Sequence, residues 1–257
     1  MAVESPPRGT SATALYCYGI VPADAAASQP GAGLGQEPVE PVRHGKLAAL
    51  TSAVPRGRVR ARRSDLLTHF DVLGNAFERG TVLPLRFGIV FDDEGSLIGE
   101  FLRPRHDELV GLLRELRDRV ELRVTAHYRE EAILAEIVRE NRRVATLREA
   151  TRAQTSPQPL LLELGELVTH ELQTRTRRDS QALLRALGRS ALRYELDEQP
   201  IEYQVLRGSF LVERGRVEAF DASLEKFAAE HRETIDVKLV GPLPPHSFVT
   251  LTHEETR

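Results

Sequence analysis

Apolar and polar residues alternate with a period of two along residues 120–128, VELRVTAHY. One predicted face carries Val120, Leu122, Val124 and Ala126, and the other carries Glu121, Arg123, Thr125 and His127. Successive side chains of a strand point to opposite faces of the sheet, so this pattern predicts a strand with one buried and one solvated face.

The densest apolar stretch of the chain is GTVLPLRFGIVF, residues 80–91. It is shorter than the ~20 apolar residues that a membrane-spanning helix needs. Its β-branched and aromatic content predicts a buried strand over residues 81–87, kinked at Pro84, with Leu83, Leu85 and Phe87 in a core. Arg86 is expected to pack its stem and extend its guanidinium to water or a carboxylate, in preference to acting as an anion clamp.

Helical periodicity governs most of the remaining chain. The predicted helices cover residues 64–79, 105–117, 130–150, 160–193 and 217–231. In the first, Ser64 is the expected cap, Gly80 the expected end, and the apolar positions are Leu66, Leu67, Phe70, Leu73 and Phe77. Residues 173–181 have no apolar face, so they are expected to project into solvent or to bend.

The order of these elements predicts an α+β fold of two domains, residues 14–118 and 119–240. A strand at 14–21, a hairpin turning at Gly45-Lys46 and the helix at 64–79 belong to the first. The second acquires the βαββαβ order of a ferredoxin-like domain with an inserted helical hairpin if Gly208 divides the strand region 201–213. Residues 1–13 are expected to be a disordered tail, and residues 241–257 a C-terminal tail.

Composition places the chain among packed proteins: 41% of its 257 residues are apolar and 28% are charged. The net charge of −3 gives no field that would attract nucleic acid or a membrane surface. Cys17 is the single cysteine, so no disulfide forms within the chain, which suits a reducing cytoplasm.

No known pattern of catalytic, metal-binding or cofactor-binding residues is present. The eight histidines are scattered without zinc-ligand spacing, and neither a GxSxG elbow nor a Walker loop occurs. Gly31, Gly33 and Gly35 are followed by Pro38 and Pro41, where a phosphate-binding loop would open a helix. His69 is expected to be a structural histidine, and the chain is predicted not to be an enzyme.

Two segments are candidates for partner binding. The C-terminal tail offers Pro242, Pro244, Pro245 and Phe248, whose prolines reduce the entropy lost on docking. The alternative is that Phe248 packs against its own domain. The second candidate is the polar helix segment, where Arg175, Arg177 and Arg178 could pair with acidic groups.

Three sequence blocks resemble the gas vesicle GvpF/GvpL family. They are LYCYGIVPAD from Leu15, HFDVLGNAFERGTVLPLRFGIVFDDE from His69, and VGPLPPHSFV from Val240. The third is similar to a GP-x-PPYSF signature, with Leu243 and His246 at its two variable places. The blocks stand in the family order and together span most of the chain.

The resemblance implies an accessory or minor structural protein of gas vesicle assembly, cytoplasmic and associated with the vesicle. It further implies binding to the main shell protein, which is itself hydrophobic, and to other accessory proteins. The residues alone leave open an alternative, a ferredoxin-like regulatory or small-molecule-binding module without catalysis.

Overall fold

A computed structural model describes residues 13–26, 31–57, 61–152, 157–197 and 201–249 of the protein. Except for Thr13, the predicted N-terminal tail lies outside these residues. The α+β prediction is confirmed, because helices and strands are mixed along the chain and form two antiparallel sheets. The chain divides into two compact units, Met1–Arg119 with Leu243–Arg257, and Val120–Pro242.

The first unit is built on a sheet with the strand order β2-β3-β1-β4, and β5 also pairs with β1. Its strands are β1 (Thr13–Pro22), β2 (Glu40–His44), β3 (Leu47–Pro55), β4 (Leu83–Pro84) and β5 (Val90–Phe91). The long strands β1 and β3 run antiparallel, from Thr13 opposite Pro55 to Pro22 opposite Leu47. Strands β2 and β3 form the predicted hairpin across Gly45-Lys46.

Strand β1 passes through the core of this unit. Tyr16, Cys17, Tyr18 and Ile20 are each fully buried on it. A bulge lies between Cys17 and Gly19, where β4 pairs with β1. A Cβ at Gly19 would lie 2.8 Å from the carbonyl oxygen of Leu83, so glycine is required for this close approach.

The apolar stretch at residues 80–91 is only partly a strand. Leu83 and Leu85 are buried as predicted, but Phe87 is only half-buried and the predicted strand over residues 81–87 contracts to Leu83–Pro84. Proline has no N–H for the ladder, so the regular strand ends there. The Leu85 N–H still donates to the Tyr18 carbonyl of β1 at 2.9 Å, and the chain rejoins the sheet at β5. Arg86 is exposed.

The first unit also contains helices, one between β3 and β4 in the sequence and the others after β5. They are α1 (Arg63–Arg79), the turn α2 (Glu94–Ser96), a π-helical turn at Leu97–Leu102, and α3 (His106–Glu115). Gly80 ends α1 as predicted, but Arg62 rather than Ser64 precedes its first turn. The buried face of α1 is also rotated from the predicted one: it carries His69, Val72, Leu73, Ala76 and Phe77.

The second unit contains a sheet with the strand order β7-β8-β6-β9. Its elements are β6 (Arg119–Tyr128), α4 (Glu130–Glu140), α5 (Arg142–Ala150), α6 (Gln158–Leu187), β7 (Ala191–Leu196), β8 (Gln204–Glu213), α7 (Val217–Glu230) and β9 (Ile235–Leu243). If the three helices between β6 and β7 are counted as one connection, the order is βαββαβ.

The second strand of that order does not arise where the sequence placed it. The helix predicted to run to residue 193 ends at Leu187, and residues 191–196 form β7 instead. Gly208 does not divide a strand region but lies inside β8, opposite Leu196. A Cβ there would lie 2.9 Å from the carbonyl oxygen of Glu195, so Gly208 allows the backbone of β7 to approach β8.

Two further predictions change for local reasons. Glu121, expected in solvent, is fully buried, and its Oε1 accepts from Arg123 Nε at 2.7 Å and Ser209 Oγ at 3.1 Å. The helix predicted over residues 130–150 is interrupted at Asn141, whose side chain accepts from the N–H groups of Arg143 and Val144 and so caps α5.

Candidate functional site

The three blocks that carry the family resemblance meet around His69, on the buried face of α1. The Tyr16 hydroxyl of β1 lies 2.8 Å from His69 Nδ1, and His69 Nε2 lies 3.2 Å from the carbonyl oxygen of Leu85. A carbonyl only accepts, so Nε2 carries the proton and Nδ1 accepts from Tyr16. Tyr16 in turn accepts from the Gly88 N–H at 3.2 Å.

The His69 cluster is therefore a chain of hydrogen bonds that joins β1, α1 and the segment around Leu85. Burial lowers the pKa of His69 to about 4; the hydrogen bond to Leu85 opposes this shift, and the neighbouring His246 adds to it. Burial also raises the pKa of Tyr16. His69 is only 1% exposed and neutral at neutral pH, which fits a structural role and gives a substrate no access to it.

The residue after His69 on α1 faces outward. Phe70 is 51% exposed, and Leu67, one helical turn earlier, is 54% exposed. The Phe70 ring contacts the His246 ring of the C-terminal segment, with centroids 5.6 Å apart. We call Leu67, Phe70 and His246 the α1 patch, and its Phe70 ring also contacts the His69 ring, with centroids 5.5 Å apart.

The predicted tail residues do not form an independent tail. Pro242 is exposed at the end of β9, whereas Pro244, Pro245 and Phe248 are buried. Residues from Leu243 onward belong to the first unit, and a short helical turn spans His246–Phe248. Phe248 and Val249 are buried, and the compact unit that contains residue 243 also contains residues 1–119. Residues 250–257 lie outside the described part of the chain.

The predicted arginines of α6 differ in exposure. The Arg175 side chain is only 8% exposed, so the expectation of a solvent-facing segment is wrong at this position. Arg178 is 61% exposed, but its Nε lies 2.7 Å from Asp179 Oδ1. Arg177 is exposed, and among the described residues it forms no ion pair.

Arg175 is buried within a group of carboxylates. It binds Glu171 on its own helix, Glu140 of α4 at 2.9 Å, and approaches Glu136 at 3.7 Å. Burial lowers the pKa of Arg175, but the hydrogen bonds to Glu171 and Glu140 outweigh it and raise the pKa. The bond to Glu140 joins α4 to α6.

A second buried polar contact involves Asp179, one helical turn after Arg175 on α6. The Tyr128 hydroxyl of β6 donates to Asp179 Oδ2 at 2.6 Å, and burial raises the pKa of Tyr128. The sequence contained a signal for both contacts: Arg175 and Asp179 continue, at steps of four, the buried stripe of Leu183 and Leu187.

A cleft of about 480 Å³ opens in the first unit between the β2–β3 turn and α3. Lys46, Arg114 and Arg117 line it together with apolar side chains and Asp24. Within the described residues no cluster of histidine, cysteine, aspartate or glutamate is arranged to bind a metal ion. No helix in the described ranges is long and apolar enough to span a membrane.

The sequence of residues 14–250 matches the family model described as gas vesicle synthesis protein GvpL/GvpF. The chain belongs to the GvpL/GvpF family. This match includes the opening strand, the His69 cluster and the C-terminal segment as far as residue 250. The resemblance seen in the three sequence blocks is thereby confirmed.

Two similar proteins from Streptomyces sp. (strain CB03234) are named gas vesicle protein F and gas vesicle protein L. Gas vesicle protein F is 37% identical over 247 residues, covering 91% of this chain and 98% of the relative. Gas vesicle protein L is 27% identical over 270 residues, covering 93% and 94%. This GvpL/GvpF protein therefore matches its relatives along almost their whole length.

Solved structures share the fold. The crystal structure of the gas vesicle protein GvpF from Anabaena sp. PCC7120 has a TM-score of 0.83 at 22% identity, covering 94% of this chain and 100% of that one. GvpF from Microcystis aeruginosa has a TM-score of 0.74 at 21% identity. Membership of the family supports a role in gas vesicle assembly.

Proposed function

We propose that this GvpL/GvpF protein acts in gas vesicle assembly by binding the main shell protein directly, as an accessory or minor structural component without catalytic activity. The observation that carries the proposal is the α1 patch. Its exposed Phe70 ring contacts His69 and His246, and His69 is bonded to Tyr16, so residues of all three family sequence blocks lie in or beneath the patch. Other gas vesicle accessory proteins are further expected partners.

The α1 patch has the properties of a binding surface. Leu67 and Phe70 keep about half of their surface in solvent although both lie on a helix whose other face is buried. The Phe70 ring contacts the ring of His69, with centroids 5.5 Å apart, and the ring of His246, with centroids 5.6 Å apart. A rigid aromatic side chain loses little entropy on binding, which suits contact with a hydrophobic shell protein.

The test is capture of the purified main shell protein by Phe70→Ser and Leu67→Ser variants. Both substitutions remove apolar surface that is already half in solvent, so folding should be retained. We expect capture by each variant to fall at least tenfold. Leu162→Ser is the matched control, because Leu162 is 64% exposed on α6 of the second unit, and capture by this variant should not change.

Two other results would redirect the proposal. Full capture by both folded α1-patch variants, with loss of capture on Arg177→Glu, would move the interface to the exposed arginine of α6. Failure of the intact protein to capture the shell protein would contradict the proposal itself. Deleting residues 241–257 is a poor test, because it removes the buried Pro244, Pro245 and Phe248.

The alternative of a small-molecule-binding module rests on the cleft beside α3. Its volume falls in the range of ligand pockets, and Lys46, Arg114 and Arg117 would favour an anionic ligand. A thermal-shift screen of small anions tests this candidate. A saturable rise in melting temperature that Arg114→Ala abolishes would favour it over a purely structural role.

A further inference from the structure

Strand β7 forms one edge of the second sheet and exposes a run of large apolar side chains. Leu192, Tyr194 and Leu196 are 42%, 49% and 42% exposed. An edge strand also presents backbone N–H and C=O groups that another strand can pair with. Natural proteins usually cover such an edge or place charges along it.

The backbone of β7 presents alternate residues to the outer side. The Asp197 N–H donates to the Arg207 carbonyl at 2.9 Å, which shows that residue 197 faces β8. In an antiparallel pair these bonds recur at every second residue, so residues 193 and 195 also face β8. The N–H and C=O groups of Tyr194 and Leu196 therefore point outward.

The charges of β7 are self-complementary about Tyr194. If two copies pair antiparallel with Tyr194 opposite Tyr194, Arg193 of each copy lies opposite Glu195 of the other. Moving the symmetry axis by one residue places Arg193 opposite Arg193, or Glu195 opposite Glu195. Like charges directly opposite one another are destabilising, so this sequence favours the register centred on Tyr194.

We propose that two copies of this protein dimerise through β7, antiparallel about Tyr194, so that two four-stranded sheets join into one. The outward N–H of Tyr194 in each copy then donates to the C=O of Tyr194 in the other. The exposed apolar side chains of the two strands come together at the junction. Because a bulge between Ala191 and Arg193 limits the regular ladder, the dimer is weak and depends on protein concentration.

The opposite edge, β9, is less suited to this role. Asp236 is already held by Arg129, whose Nε and Nη2 donate to its Oδ1 at 2.9 and 2.5 Å. Val240 is the exposed large apolar residue of β9, and Pro242 has no N–H to pair. Strand β9 thus provides a matched control for charge changes on an edge strand.

The experiment is sedimentation velocity of the full chain over a concentration series. The wild type should sediment increasingly as a dimer as its concentration rises. Arg193→Glu and Glu195→Arg should each weaken self-association at least tenfold, because each puts like charges opposite. An equimolar mixture of these two variants should form a heterodimer, because all four charges are then complementary.

Lys238→Glu on β9 makes the same charge change as Arg193→Glu and should leave dimerisation unchanged. Far-ultraviolet circular dichroism establishes that each variant is folded before it is compared. A wild type that stays monomeric throughout the series would overturn the proposal. So would folded single variants that dimerise normally, or a mixture of the two that remains monomeric.

Discussion

His69 connects three separated parts of the sequence through two ring nitrogens. The ring needs Nε2 protonated for Leu85 and Nδ1 unprotonated for Tyr16, so the neutral form alone satisfies both partners. A second proton would remove the acceptor and place a charge in a buried site. The residue therefore makes the first unit sensitive to acid.

The free energy of unfolding should fall as the pH is lowered through this range. The pKa of His69 is about 4 in the folded chain and ordinarily 6.5, so between these values the unfolded chain binds more protons. Its contribution is complete above pH 6.5 and is lost progressively as the pH falls toward 4. We expect a loss of about 2 kcal/mol at pH 5.

Urea unfolding at pH 7.5 and pH 5 measures this effect when the wild type is compared with His69→Gln. Glutamine offers a donor and an acceptor but does not titrate, so the pH dependence of the variant should be smaller by the contribution of His69. An identical pH dependence in both proteins would contradict the assignment. The comparison cancels the contributions of the other histidines.

Removing the Tyr16 hydroxyl should destabilise the protein without changing its volume much. In Tyr16→Phe, His69 Nδ1 loses its donor and the Gly88 N–H loses its acceptor. His69 is buried, and a buried group left unpaired costs about 1–3 kcal/mol. Tyr203→Phe is the control, since Tyr203 OH donates to Glu130 at an exposed site, and its denaturation midpoint should barely move.

At the scale of elements, α6 is held by polar contacts in the segment where it lacks apolar residues. Arg175→Ala should leave Glu171, Glu140 and Glu136 close together without their cation. Because these carboxylates keep part of their surface in solvent, we expect a loss of roughly 2 kcal/mol in the free energy of unfolding, typical of hydrogen bonds to charged groups. Arg177→Ala, two residues away and exposed, should change it by less than about 0.5 kcal/mol.

Denaturant titration followed by circular dichroism compares the two variants. Equal stabilities would show that the buried network contributes nothing beyond what an exposed arginine does. A loss of stability seen only in Arg175→Ala would show that this side chain stabilises the contact between α4 and α6.

Element types followed from the sequence where a strong period was present, and failed where tertiary contacts decided. The alternation at residues 120–128 gave β6, but it could not indicate that Ser209 and Arg123 bind Glu121 in the interior. Residues 191–193 fit the helical pattern of α6 by their composition. In the structure, however, they belong to β7 and pair with β8. Asn141 shows the same limit, since a polar residue in a helical pattern can also be a cap.

At the scale of the whole molecule, the α+β class and the family could be read from the chain, whereas the fate of its C-terminal segment could not. Pro244, Pro245 and Phe248 gave the same signal for a docking peptide as for a segment packed on its own unit. Only the burial of these residues distinguishes the two, and burial depends on contacts distant in sequence. The candidate surface at Phe70 was similarly hidden within a helix pattern that placed Phe70 inward.

Fragments should behave accordingly. Residues 120–242 contain a complete sheet with its helices, so this fragment should fold alone and unfold cooperatively. Residues 1–119 lack the buried segment around Phe248, so this fragment should be unstable or aggregate. A peptide of residues 243–257 added in trans should raise its melting temperature in a concentration-dependent manner. Cooperative unfolding of residues 1–119 alone, unaffected by the peptide, would contradict this expectation.

The single cysteine provides a natural probe of local opening. Cys17 lies fully buried on β1, and burial raises its thiol pKa to about 12. Alkylation needs an accessible thiolate, so a reagent can reach Cys17 only when the first unit opens. Its labelling rate in native buffer would therefore report the opening kinetics of that unit alone, without any engineered label and without a signal from residues 120–242.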